Sequence, residues 1–214
     1  MKKLIPILLV LLLLGCTQPA LTVDEEGTTK INHTLPTQVD TKIGLSELEI
    51  SSLLYMREEE KLARDVYVAL YNKWQIKAFN NISNAEQTHT DSVKSVLDAY
   101  GIKDTSATEQ GKFNTQKLQE LYNTLIETGS KSELDALKVG AAVEEIDIID
   151  LQEYSSKIEN TYIKTIYANL EKGSRNHLRA FVKQIGMRGE TYSPQYLSEE
   201  AYNSIISTPT EKGQ

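Results

Sequence analysis

"FNNISNAEQTHTDSVKSVLDAY", residues Phe79 to Tyr100, decides how the chain folds. Phe79, Ile82, Glu86, His89, Val93, Val96 and Tyr100 follow one another at spacings of three and four, the period of a single helix face. Gly101 stands where such a helix would stop. The face is apolar except in its middle, where Glu86 and His89 interrupt it one turn apart. The i, i+3 spacing aims both side chains from the same face at one point. An isolated Glu-x-x-His is as readily a solvated surface pair or a hydrogen-bonded core pair, so the remaining segments have to decide its meaning.

Three further long segments have the same construction. The first, about Leu45 to Trp74, opens with Ser46 as N-cap and Glu49 completing a capping box. Its stripe is Leu53, Met56, Glu60, Ala63, Tyr67, Leu70 and Trp74, in which Glu58 and Glu59 compete with Glu60 for the inward position. A later helix, about Ser132 to Lys157, presents Leu137, Gly140, Ala141, Glu144, Asp147, Ile148 and Leu151, with Glu145 competing with Glu144. The last, about Thr161 to Gly186, presents Ile166, Leu170, Ser174, His177 and Phe181. Alternating β-branched runs are absent, so the fold is expected to be all-α. A long connection, Gly101 to Lys131, contains a shorter helix near Thr115 to Thr128, while the other links are short. Two helices, a crossover and two more helices is the connectivity of a ferritin-type four-helix bundle. The bundle domain is expected over residues 44–207, with a short helix near Ser198 to Ile206 packed outside and a tail over 208–214.

The 214 residues are 40% hydrophobic and 25% charged, the balance of an ordinary globular domain. A net charge of -7 without a basic stripe argues against nucleic acid as a partner. One cysteine, Cys16, excludes a disulfide framework, a CxxC redox site and a thiolate-rich metal cluster, so any metal chemistry must use Asp, Glu and His. The N-terminus, MKKLIPILLVLLLLGCTQ, has a basic start and an apolar run too short to be a comfortable membrane span. It predicts a signal peptide over residues 1–15. Leu13-Leu14-Gly15-Cys16 looks like the lipobox of bacterial-type lipoproteins, in which the cysteine is acylated. The expected location is therefore extracytoplasmic, anchored through membrane lipid on Cys16, with residues 16–43 as a flexible tether that includes His33. An uncleaved anchor with an incidental cysteine is the alternative.

Carboxylates on the inner faces of a bundle lose hydration and repel one another unless something positive sits among them. Glu and His together are a donor set suited to iron or manganese, with zinc also accepted. Glu60-Lys61-Leu62-Ala63-Arg64-Asp65-Val66-Tyr67 resembles the Glu-x-x-Ala-Arg-x-x-Tyr segment of rubrerythrin-type ferritin-like proteins. Glu86-x-x-His89 resembles their second-helix ligand pair, and Glu144-x-x-Asp147 their third-helix Glu-x-x-Glu. REEEKLARDVY, GKFNTQKLQELYNTL, VGAAVEEIDIIDL and GSRNHLRAF together resemble domain-of-unknown-function family 2202, over roughly Leu45 to Ile206.

The resemblance implies a metal centre of two iron ions held by Glu60, Glu86, His89, Glu144, Asp147 and His177. It also implies Tyr67 and Ser174 beside the ligands. The rubrerythrin-type pattern is broken at Ser174-Arg175-Asn176-His177, where it expects Glu-x-x-His in the fourth helix; Asp147 or Glu171 is left to substitute. A mononuclear or asymmetric site is the other outcome. The expected activity is that of an oxidase, peroxidase or ferroxidase using dioxygen or peroxide. A separate electron donor is needed, because no rubredoxin-like cysteine domain is present. A non-catalytic metal-binding or interaction lipoprotein is the alternative, and a metal-free scaffold is a third. A homodimer is compatible with all of them.

Overall fold

The computed structural model describes residues 21–23, 29–31 and 44–212. The signal peptide, Cys16, His33 and the last two residues lie outside the described residues. Within the segment expected to be a tether, β1 (Leu21–Val23) and β2 (Thr29–Ile31) pair antiparallel, with Leu21 opposite Ile31. Strands of this length leave no alternation to read in a sequence.

From residue 44 onward the chain is a helical bundle, as the periodicity predicts. Its elements are α1 (Glu47–Trp74), α2 (Lys77–Ala99), α3 (Gln116–Gly129), α4 (Glu133–Lys157), α5 (Thr161–Gly186) and α6 (Glu199–Ile206). Local chemistry sets their ends. Ser46 and Glu49 form the reciprocal capping box on α1. Ser132 caps α4 through the Asp135 amide, and Asn160 caps α5 through those of Tyr162 and Ile163. Gly101 ends α2 at φ +66°, a left-handed turn that a side chain would resist. Among the described residues no helix is long and apolar enough to cross a membrane.

α1 packs along α2, and α4 along α5; contacts of α1 with α4 and of α2 with α5 close the bundle, and α3 lies against α1 and α4. The buried apolar residues fall into two separate clusters. One holds Val66, Tyr67, Phe79, Ile82, Leu137, Leu178 and Phe181; the other holds Leu53, Met56, Val93, Val96, Leu151, Ile166 and Leu170. On α1 the change from one cluster to the other brackets Glu60, on α2 it brackets Glu86 and His89, and on α5 Ser174 and His177. A polar layer thus divides the core at one depth. Gly140 lets Phe181 lie close against α4, since a Cβ there would stand 2.6 Å from the ring. That ring packs at 5.2 Å from Tyr67 and 5.3 Å from Phe79, roofing the polar layer.

The connections are tied down by buried charges. Glu58 accepts the amides of Asn114 and Thr115 at the start of α3. Glu145 accepts the Tyr192 hydroxyl and the amides of Gln195, Tyr196 and Leu197, fixing the segment before α6. The last described residues also dock, because Glu211 pairs with Arg175 and Arg179 on α5.

Candidate metal centre

Five side chains from α1, α2, α4 and α5 meet in the polar layer: Glu60, Glu86, His89, Glu144 and His177, each buried. Glu86 lies between the two imidazoles, which stack with centroids 5.4 Å apart and planes 25° from parallel. Its Oε2 is 3.0 Å from His89 Nδ1, and its Oε1 is 2.7 Å from His177 Nδ1. Glu60 Oε2 reaches the same His89 nitrogen at 3.2 Å, and Glu144 Oε2 reaches His177 Nδ1 at 3.5 Å. The result is two trios, Glu60–Glu86–His89 and Glu86–Glu144–His177, in each of which one donor atom per residue lies within 4.8 Å of the others. Glu86 belongs to both.

Hydrogen bonding accounts for only part of this convergence, through His89 Nδ1 and Glu60 Oε2 at 3.2 Å. Despite the 2.7 Å separation, His177 Nδ1 and Glu86 Oε1 do not form a hydrogen bond, and neither atom has another partner. Glu60 Oε1 is also without one. Buried polar atoms are ordinarily satisfied, and orphans gathered at one point call for a specific cause. Lone pairs directed at a common point suit a cation, and a carboxylate with an oxygen toward each of two histidines suits two.

The electrostatics agree. Burial by itself would raise the Glu86 carboxyl, but the flanking His89 and His177 hold it far below its usual range. Burial opposes charging His177, yet the Glu86 and Glu144 carboxylates lift it to about 9. His89 is also raised well above its ordinary value, by Glu86 and Glu60 against burial. Burial pushes Glu60 up to about 7 against the pull of His89. It raises Glu144 too, with the Glu86 charge adding to the effect.

For the metal-free protein these shifts set the sign of the pH dependence. His177, ordinarily 6.5 and about 9 when folded, contributes stability that is complete below pH 6.5 and lost as pH rises through 9. Glu60, ordinarily 4.5 and about 7 when folded, holds its proton more tightly in the folded state, so stability also falls as pH rises between those values. Glu86 acts oppositely, but only in acid, below its ordinary 4.5. The thermal midpoint in chelator should therefore decline from pH 5 towards 9. A midpoint that climbs over this window would contradict the charge arrangement.

Tyr67 and Ser174 each brace a carboxylate. The Tyr67 hydroxyl donates to Glu144 Oε1 at 2.5 Å and lies 3.2 Å from the Gly140 carbonyl. Ser174 Oγ donates to Asp147 Oδ2 at 2.5 Å. Asp147 therefore stands outside both trios, where the motif resemblance had it as a ligand. Its carboxyl is near enough to Glu60 and Glu86 to be raised well above its usual range, by burial first and then by their charges. Glu171 faces outward to Arg175 and Gln152 and takes no part. Because Tyr67 orients a prospective ligand, Tyr67→Phe should weaken metal binding at the Glu144 trio by about 10–100-fold, as losing an outer partner of a ligand does. Calorimetric titration would show one of two binding steps weakened; an unchanged isotherm would reduce Tyr67 to packing.

Sequence reasoning left Glu58, Glu59 and Glu60 as competitors for one inward position. All are buried, with Glu58 anchoring the crossover, Glu60 in the trio and Glu59 between them, its two oxygens unpartnered. No periodicity could separate them, since α3 covers the α1 face that would otherwise be solvated. Glu145, the competitor of Glu144, serves the C-terminal segment instead.

With this geometry in hand, comparison with known proteins is informative. Residues 49–209 match the model of a family described as "Uncharacterized protein domain (DUF2202)". Uncharacterized protein MJ0754 of Methanocaldococcus jannaschii is 53% identical over 170 residues, 79% of this chain and 92% of that protein. The crystal structure of the hypothetical protein MJ0754 superimposes with a TM-score of 0.77 at 51% identity, covering 83% of this chain and 99% of that one.

Proposed function

Because the chain belongs to the DUF2202 family of uncharacterized domains, its role has to be read from the site itself, and we propose that it is a ferritin-like protein holding a two-iron carboxylate–histidine centre. Glu60, Glu86 and His89 would hold one ion, and Glu86, Glu144 and His177 the other, with Glu86 shared. Manganese or zinc fits the same donors. The observation that carries the reading is the shared Glu86, flanked by two histidines and surrounded by buried donor atoms that no hydrogen bond satisfies.

Iron bound there would supply redox chemistry toward dioxygen or peroxide, which would suit an oxidase, peroxidase or ferroxidase. The protein's own part is to exclude water through the apolar clusters on either side of the layer and to keep Glu144 oriented by the Tyr67 hydroxyl. Cys16 is the only cysteine of the chain, so a thiolate-bound iron cannot deliver electrons and a separate donor has to. The lipobox-like Leu13-Leu14-Gly15-Cys16 supports an extracytoplasmic protein held on a membrane surface by acylated Cys16.

A second reading, a non-catalytic metal-binding lipoprotein with a single ion, draws on Ser174. The Glu86–Glu144–His177 trio receives no carboxylate from that position of α5, since its occupant is a serine turned to Asp147. Anaerobic loading of the full chain with Fe(II), followed by metal analysis and exposure to oxygen, separates the two. Two irons per chain with an oxygen-dependent absorbance change support the first reading; one tightly held ion without oxygen consumption supports the second. A protein that retains no metal would overturn both.

A further inference from the structure

Beside the polar layer, between α1 and α4 and beneath α3, lies a narrow cleft of about 10 Å³. That volume is about enough for a single water. Leu62, Leu121, Val143 and Ile146 form its walls, and the carboxylates of Glu59 and Asp147 line it. Leu121 and Ile146 are partly exposed, so the outer end of the cleft reaches the surface, while Glu59 and Asp147 are 3% and 5% exposed.

Both Glu59 oxygens lack a hydrogen-bond partner, and so does Asp147 Oδ1, whose sister oxygen is held by Ser174. Neither carboxylate belongs to a trio. Close enough to Glu59 to act on it are the half-buried Asp150, which accepts the Tyr55 hydroxyl at 3.1 Å, and the buried Asp147 and Glu60. The carboxylates thus descend from a partly exposed position to the centre. Apolar walls sharpen the field of such a row, because little else screens it.

We propose that Glu59 and Asp147 form a separate transit subsite for a divalent cation, occupied on its way from the Asp150 surface to the two trios. The inference rests on the two-metal reading of the centre. Two hard oxygen donors facing a cleft of one-water size fit a small dication stripped of most of its water, and the apolar walls leave no competing ligand. Ser174 then has a definite task where the rubrerythrin-type motif has a carboxylate. Its hydroxyl turns one oxygen of Asp147 away from the cleft and leaves the other free to receive the ion.

The test uses the metal-free full chain mixed with Co(II), with d–d absorption following loading in stopped flow and metal analysis giving the final stoichiometry. Glu59→Gln should slow loading by about tenfold, the lower end of what focused charge contributes to an on-rate, while two ions per chain are still bound at the end. Asp150→Asn, at a half-buried position where the amide oxygen still accepts the Tyr55 hydroxyl, should slow it in the same direction by a smaller factor. Loading by both variants at the wild-type rate would overturn the transit subsite and leave the two-metal centre standing. A lower final stoichiometry in Glu59→Gln would overturn it differently, making Glu59 a resident ligand. A wild-type chain that takes up no Co(II), Fe(II) or Mn(II) would overturn the centre itself and the subsite with it.

Discussion

Glu86→Ala should abolish binding at both halves of the centre, whereas Glu60→Ala and Glu144→Ala should each abolish one. The asymmetry follows from membership, since Glu86 is in both trios and the other carboxylates are in one each. Ligand binding stabilises by RT ln(1 + [L]/Kd), about 4 kcal/mol at a thousandfold excess over Kd. At about 2–4 °C per kcal/mol for a domain of this size, wild type should gain roughly 10 °C in thermal midpoint on loading. The Glu86 variant should gain nothing, and each of the other two an intermediate amount. Metal analysis after desalting, beside thermal unfolding with and without chelator, reads both quantities. Without Glu86 the main cause of the raised His177 value disappears, so its titration should also move back towards 6.5. If Glu86→Ala still bound an ion, the sharing inferred from its oxygens at 3.0 Å and 2.7 Å from the two histidines would be wrong.

Asp65→Asn should cost about 3–5 kcal/mol of folding stability, the usual penalty for leaving one member of a buried ion pair without its partner. Asp65 Oδ2 is 2.6 Å from Lys61 Nζ, and the two side chains are 1% and 4% exposed. The same oxygen accepts the Gly111 amide at 2.9 Å, while Lys61 donates to the carbonyls of Glu109 and Lys112 and lies over the Phe113 ring. Asn keeps the shape and an acceptor for Gly111 but removes the charge that makes an ammonium tolerable there. The segment before α3 is fastened to α1 through this knot together with Glu58 and the Arg57–Asp104 pair, so limited proteolysis should cut it more readily in the variant. Urea denaturation of the metal-free protein measures the loss. A change below about 1 kcal/mol, the range of exposed pairs, would mean that the Lys61 ammonium is solvated.

Much of the helical architecture was legible before any tertiary contact was known. Ser46 with Glu49, Ser132, Asn160 and Gly101 mark helix ends through local hydrogen bonds and backbone preferences, and the three-and-four spacing marks the inward faces. Because that spacing also carries Glu60, Glu86, His89, Glu144 and His177 on the apolar stripes, the members of the two trios could be named from periodicity and motif together.

Which neighbour does what could not be read this way. Glu58, Glu59, Glu60 and Lys61 are consecutive and spread around most of a helix turn, so their separate burial depends on α3 and the crossover covering the outer side of α1. Glu144 and Glu145 divide between the centre and the C-terminal segment for the same reason. Asp147 fits the ligand motif by spacing, yet Ser174 across the helix pair takes its hydrogen-bonding oxygen. A helical period reports the angle at which a side chain leaves its own axis. Whether that direction meets a cation's other donors, a capping amide or a second helix is decided only when elements distant in the chain are packed together.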